Sequence, residues 1–170
     1  MANFPIRLEG LKWLWLTVLV IILDLWTKNL ATQHLQMHDP VAVFTGFNLT
    51  LMHNTGAAFS FLDDAGGWQR WFFICLTLAV STFILIWLYG LKTNQKWMAC
   101  ALALILGGAL GNLWDRITLG YVVDFIDVSL SFLPWRIFNP WPAFNVADSA
   151  ITIGATMLII DAIWFSDKTT

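Results

Sequence analysis

Apolar residues in this chain come in four long runs. A helix needs about 20 mostly apolar residues to cross the hydrocarbon core of a bilayer, and runs at about 11–30, 71–91, 97–116 and 145–165 reach that length. The first run contains Lys12, Asp24 and Lys28, whereas the second carries no charge. The third stays uncharged until Asp115 and Arg116 close it, and the fourth has Asp148 near one end and Asp161 near the other. Between the first two runs, Val41-Ala42-Val43-Phe44 and Thr45-Gly46 precede an alternation at Phe47, Leu49 and Leu51, which predicts a half-buried strand. Between the last two, Val122-Val123-Asp124-Phe125-Ile126-Asp127-Val128 also has strand character, and Pro134, Pro140 and Pro142 forbid a continuous helix through the remainder of that loop. The pattern predicts one polytopic membrane domain spanning 1–170. It is all-α apart from a small sheet and loop cradle that rest on one membrane face.

Composition agrees with this. Of 170 residues, 58% are hydrophobic and 12% charged, against about 25% charged in soluble domains; mean hydropathy is +0.69. This excludes a disordered chain and a soluble enzyme. A net charge of −2 leaves no basic footprint for nucleic acid. The eleven tryptophans fall near the ends of the four runs, as expected of aromatic belts at both interfaces. The first run is expected to be retained, because Asp24-Leu25-Trp26-Thr27-Lys28 stands where a signal-peptide cleavage site would lie. Four spans put both termini on one side. Arg7, Lys12, Lys92, Lys96 and Lys168 fall there, against Lys28, Arg70, Arg116 and Arg136 on the other, a faint lean towards an inside N-terminus. Most carboxylates gather on the side opposite the termini. Cys75 and Cys100 lie in apolar runs and build neither a disulfide framework nor a metal site. His34, His38 and His53 lack a metal-ligand motif, so no metal and no cofactor is expected.

Charged groups inside spans are costly and are functional candidates by default. Asp24 and Lys28 are four apart on one helix face; they form either a structural ion pair or support for a nearby site. Gly107 and Gly111 permit close helix packing. Asn112, Asp115 and Arg116 share a face at the end of the third run, where Arg116 either snorkels to the interface or contacts a ligand or a catalytic acid. Asn54-Thr55-Gly56-Ala57-Ala58-Phe59-Ser60 places small residues where backbone approaches closely, to a substrate or to a helix end. Asp124 and Asp148 flank the second loop, which returns both to the same face. Two close carboxylates at a low-dielectric boundary share a proton, and can serve as base and acid. The plainer alternatives are a solvated loop acid at Asp124 and a helix N-cap at Asp148.

Five motifs follow one another in order: Leu23-Asp24-Leu25-Trp26-Thr27-Lys28, the 54–60 stretch, Gly107-Gly108-Ala109-Leu110-Gly111-Asn112-Leu113-Trp114-Asp115-Arg116, Val122-Val123-Asp124-Phe125 and Phe144-Asn145-Val146-Ala147-Asp148. In this the chain resembles the bacterial lipoprotein signal peptidases (signal peptidase II), over nearly its whole length. The resemblance implies an intramembrane aspartic endopeptidase that removes signal peptides from diacylglyceryl-modified prolipoproteins, cutting before the lipidated cysteine. It implies a multi-pass protein of the bacterial cytoplasmic (inner) membrane. Both termini are then cytoplasmic, and the sheet and active site extracytoplasmic. It maps the catalytic pair onto Asp124 and Asp148, substrate or inhibitor contacts onto Asn54, Gly56, Asn112, Arg116 and Asn145, and structural support onto Asp24, Lys28 and Asp115. The implied partners are diacylated prolipoproteins, membrane lipid and globomycin-type inhibitors, with no nucleic acid; the oligomeric state stays open, a monomer being the simplest reading. The loop from Ser129 to Pro142 is longer and more apolar than the resemblance leads one to expect, and reads as an interfacial lid. Two rivals remain: a small transporter or proton channel, which would set carboxylates at several depths, and a non-catalytic membrane scaffold, which would leave the polar cluster unexplained.

Overall fold

A computed structural model of the chain describes residues 8–56, 66–129 and 141–164. Four helices long and apolar enough to cross a membrane dominate it: α1 (Leu14–His34), α2 (Trp68–Gly90), α3 (Lys96–Thr118) and α4 (Val146–Trp164). A single 3-10 turn, Leu11–Trp13, leads into α1. Three strands, β1 (Val41–Phe44), β2 (Phe47–Asn54) and β3 (Val122–Val128), make an antiparallel sheet in the order β1-β2-β3. The expected architecture is therefore the observed one. The boundaries moved outward at four ends, with α1 reaching His34, α2 starting at Trp68 and α3 running from Lys96 to Thr118. Polar residues at helix ends still have helical hydrogen bonds to make, so apolar runs understate helix length. The proposed lid falls largely on residues 130–140, and part of the 54–60 stretch on 57–60, outside the described residues.

Helix α3 is the hub, packed against α1, α2 and α4. Its glycines are what let backbones approach so closely. A Cβ at Gly107 would meet Val20 Cβ at 2.7 Å, one at Gly111 would meet Asp24 Oδ2 at 2.6 Å, and one at Gly108 would collide with the Ala147 carbonyl of α4. The close-packing reading of Gly107 and Gly111 is thus realised against α1. The outward faces are apolar: Trp15, Ile22, Trp71, Phe83 and Ile86 are each more than half exposed, which is the surface a lipid-facing helix presents.

The sheet sits where the C-termini of α1 and α3 meet the N-termini of α2 and α4. Its underside packs Leu51, Val123 and Phe125 on Ala31 of α1. The β2–β3 register runs from Phe47↔Val128 to Asn54↔Val122, with an irregularity between Leu49 and Met52. That shift ends the simple alternation read from Phe47, Leu49 and Leu51, so that Thr50 and Leu51 are both buried. Phe144 is stitched to Ile126 by backbone hydrogen bonds in both directions, 2.8 and 3.0 Å. The chain is thereby delivered to α4 directly beneath β3.

Candidate active site

The first turn of α4 closes with a reciprocal pair. The Asp148 N–H donates to Asn145 Oδ1 at 2.8 Å, and the Asn145 N–H donates to Asp148 Oδ2 at 3.2 Å. This is a capping box. Asn145 is the cap, and Asp148 is its partner three residues on, so Asp148 is not itself the N-cap. Its other oxygen, Oδ1, accepts from Asn112 Nδ2 of α3 at 2.8 Å.

Asp124 faces the same point from β3. Its Oδ1 accepts from Asn145 Nδ2 at 2.7 Å and its Oδ2 from Asn54 Nδ2 at 3.1 Å. Asn145 therefore touches both carboxyl groups, and is itself fully buried. Burial pushes the Asp124 carboxyl up to about 7, and the neighbouring Asp148 charge adds to the rise.

Beneath the pair lies a buried ionic cluster. Lys28 Nζ sits 2.7 Å from Asp24 Oδ2 and 2.9 Å from Asp115 Oδ2, and donates to Asn112 Oδ1 at 2.9 Å. All three charged groups are at most 3% exposed as residues. The cluster reaches the backbone on either side of the site: Asp24 Oδ1 accepts from Ala147 N at 2.9 Å, and Asp115 Oδ2 from Val123 N at 3.1 Å. Those two residues immediately precede Asp148 and Asp124. The ammonium also fixes which way the Asn112 amide faces, with its oxygen towards Lys28 and its nitrogen towards Asp148.

Arg116 takes a different path from its helix neighbours Asn112 and Asp115. Its Nη2 donates to the Gly56 carbonyl at 2.8 Å, and its guanidinium lies 4.9 Å from the Phe73 ring centre. The Gly56 N–H in turn donates to Asn54 Oδ1 at 3.0 Å. This tight turn holds Asn54 against Asp124. A cavity of about 670 Å³ opens beside these groups, lined by Asn54, Asn112, Arg116 and Asp148, and walled by Phe73, Trp141, Phe144, Ile151 and Thr152 among others.

The ten residues to which the resemblance gave catalytic, binding or supporting roles thus converge at one end of the bundle. They divide into three sets. Asp124 and Asp148 face each other across Asn145. Asn54, Asn112 and Arg116 line the cavity, with Gly56 supplying only backbone. Asp24, Lys28 and Asp115 lie behind, away from the cavity lining. The Asn145 amide is spent on protein groups, including Asn112 Oδ1 and the Val123 carbonyl at 3.2 Å each. Phe73 and Trp141 went unmarked in the sequence, since an aromatic residue in an apolar run carries no signal of facing a cavity. Arg70 was readable, as the cation at the head of an otherwise uncharged run. Among the described residues, no group of three or more His, Cys, Asp or Glu gathers as metal ligands would.

The sequence matches the family described as signal peptidase (SPase) II over residues 16–164. A lipoprotein signal peptidase of Teredinibacter turnerae is 53% identical over 158 residues, covering 92% of this chain and 90% of that protein. One of Acinetobacter baumannii is 54% identical over 160 residues, covering 94% and 87%. Among solved structures, a bacterial membrane enzyme determined by the in meso method at 2.3 Å resolution superposes with a TM-score of 0.80 at 31% identity, covering 93% of this chain and 92% of that one.

Proposed function

The chain belongs to the signal peptidase II family, and from that premise we propose that it is an aspartic endopeptidase of the bacterial inner membrane that cuts diacylated prolipoproteins just before the lipidated cysteine. The observation that carries the aspartic reading is the pair itself. Two carboxyl groups from different elements meet through one buried asparagine, beside a cavity at the end of a membrane bundle.

The chemistry follows from how each carboxyl is held. Asp148 stands in the first turn of α4, where N–H groups and the helix dipole suit a negative charge. Asp124 is on a strand, accepts among the described residues only from neutral amides, and holds its proton up to about pH 7. In this assignment Asp148 takes a proton from water as the water oxygen attacks the scissile carbonyl carbon. Asp124 gives its proton to the amine nitrogen as the C–N bond breaks. The products are a carboxyl terminus on the signal peptide and a free amine on the lipidated cysteine, and the pair has exchanged which member is protonated. Asn112 and Arg116 line the cavity where peptide and lipid would be positioned. An apolar signal helix with two acyl chains would reach the site from within the bilayer, and the site's place at the end of the bundle would give it water. Globomycin-type inhibitors would compete for the same cavity. The sheet and site are assigned to the extracytoplasmic face and both termini to the cytoplasm.

The test is to incubate the purified chain with a diacylated prolipoprotein and identify the products by mass. Cleavage before the lipidated cysteine is expected, with none of the unmodified precursor. Cleavage of both alike, or at another bond, would sink the substrate assignment.

A further inference from the structure

The last carbonyls of a helix have no partner within it. At the end of α3, the Asp115 carbonyl accepts from the N–H groups of Leu119 and Gly120, at 2.7 and 3.2 Å. The next two carbonyls are taken by a side chain from another helix. Arg70, in the first turn of α2, donates Nε to the Arg116 carbonyl at 2.7 Å and Nη2 to the Ile117 carbonyl at 2.9 Å. One planar guanidinium thus closes the end of α3, a geometry an ammonium could only half reproduce. The turn beyond lies over the same group. Gly120 has a φ of +92°, and a Cβ there would stand 3.6 Å from Arg70 Nη1. The Arg70 guanidinium also lies 5.4 Å from the Trp71 ring centre.

The residue whose carbonyl Arg70 grips is the arginine of the cavity wall. Arg116 is held by α2 at two points, its backbone by Arg70 and the face of its guanidinium by Phe73, three residues further along α2. Its Nη2 is committed to Gly56. Its Nε is buried and has no hydrogen-bond partner among the described residues. A buried N–H left unpaired has lost its water without replacement, so a group that supplies an acceptor there has an advantage.

We propose that Arg70 is a positioning residue for substrate binding: by clamping the end of α3 it sets the height of Arg116 in the cavity, so that Arg116 holds Gly56 with one nitrogen and offers another to a carbonyl oxygen of the substrate. This rests on the peptidase reading above. The role is one of placement, since among the described residues Arg70 hydrogen-bonds only to the backbone of α3.

The experiment is steady-state cleavage of a synthetic diacylated prolipoprotein peptide by the purified chain, comparing Arg70→Gln, Arg70→Lys, Arg116→Ala and the double variant Arg70→Gln/Arg116→Ala. Arg70→Gln is expected to raise KM about tenfold, the scale of one lost charge-assisted hydrogen bond, with a smaller change in kcat. Arg70→Lys should recover part of that loss. In the Arg116→Ala background, Arg70→Gln should add almost nothing to KM, because the group being positioned is gone. If Arg70→Gln fails to fold, as judged by thermal unfolding in detergent, the KM of Arg70→Lys alone and in the Arg116→Ala background carries the same comparison. Effects that multiply in the double variant, or a kcat loss at unchanged KM, would overturn the proposal. So would a wild-type KM for Arg116→Ala, with the aspartate pair still cutting. Absence of cleavage by the wild-type chain would instead defeat the peptidase reading.

Discussion

A carboxyl group buried beside a second carboxyl keeps its proton far above the usual carboxylate range, since both cannot easily be charged together. Asp124 is in that position, at about 7. Below about pH 7 the protonated form of Asp124 predominates and the pair holds the proton it must donate; above it the pair loses that proton. The kcat/KM for a diacylated substrate should therefore fall as pH rises through about 7, and a profile flat across that pH would contradict the assignment of Asp124 as the acid. Asp124→Asn and Asp148→Asn should each lower turnover by at least ~10²-fold and be non-additive together. The Asn145 cap would still find a partner at position 148, so the fold should survive. Asp127→Asn supplies the comparison. Asp127 lies on the same strand, but its Oδ2 accepts from the Thr50 hydroxyl at 2.8 Å within the sheet, and cleavage should persist. Near-normal turnover by Asp148→Asn would leave Asp148 with its capping box alone.

At the level of the elements, spacing was legible in the sequence and facing was not. Asn145 and Asp148 are three apart at the head of an apolar run, the spacing of a capping box, although the reading from sequence alone puts the N-cap at Asp148 itself. Gly107 and Gly111 are four apart, the spacing of a close helix contact. Asp24 and Lys28 could be paired along one helix. None of this says that Gly107 and Gly111 face α1 while Gly108 faces α4, or that Asp115 turns from Arg116 to join Lys28, because such choices are made between helices far apart in the chain. The fold carries that information in contacts such as the 2.6 Å approach a Cβ at Gly111 would make to Asp24 Oδ2. Gly111→Ala should therefore force apart the helices that hold the Asp24–Lys28–Asp115 cluster, costing about 1–3 kcal/mol as overpacking does. Gly90→Ala has open space around it and should be neutral or stabilising, by up to ~1 kcal/mol, through reduced freedom of the unfolded chain. Thermal unfolding in detergent separates the two, and equal melting temperatures would mean the α1–α3 contact is not tight.

For the molecule as a whole, polar chemistry sits at one end and a lipid-facing surface covers the rest. The four spans place Lys92, between α2 and α3, at the end opposite the sheet, and Asp39, before β1, at the sheet end. The lysine and arginine balance across those ends was nearly even in the sequence, so charge alone orients the chain only faintly. The proposed function supplies an orientation. A peptidase acting on exported precursors would open its site on the far side of the membrane, and an even number of spans would then leave both termini inside. Single cysteines at Lys92 and Asp39, in a background lacking Cys75 and Cys100, test this with an impermeant thiol reagent on intact cells whose outer envelope has been opened. Asp39→Cys should label before lysis and Lys92→Cys only after it. Labelling in the reverse order would place the aspartate pair on the cytoplasmic side and overturn the proposed orientation.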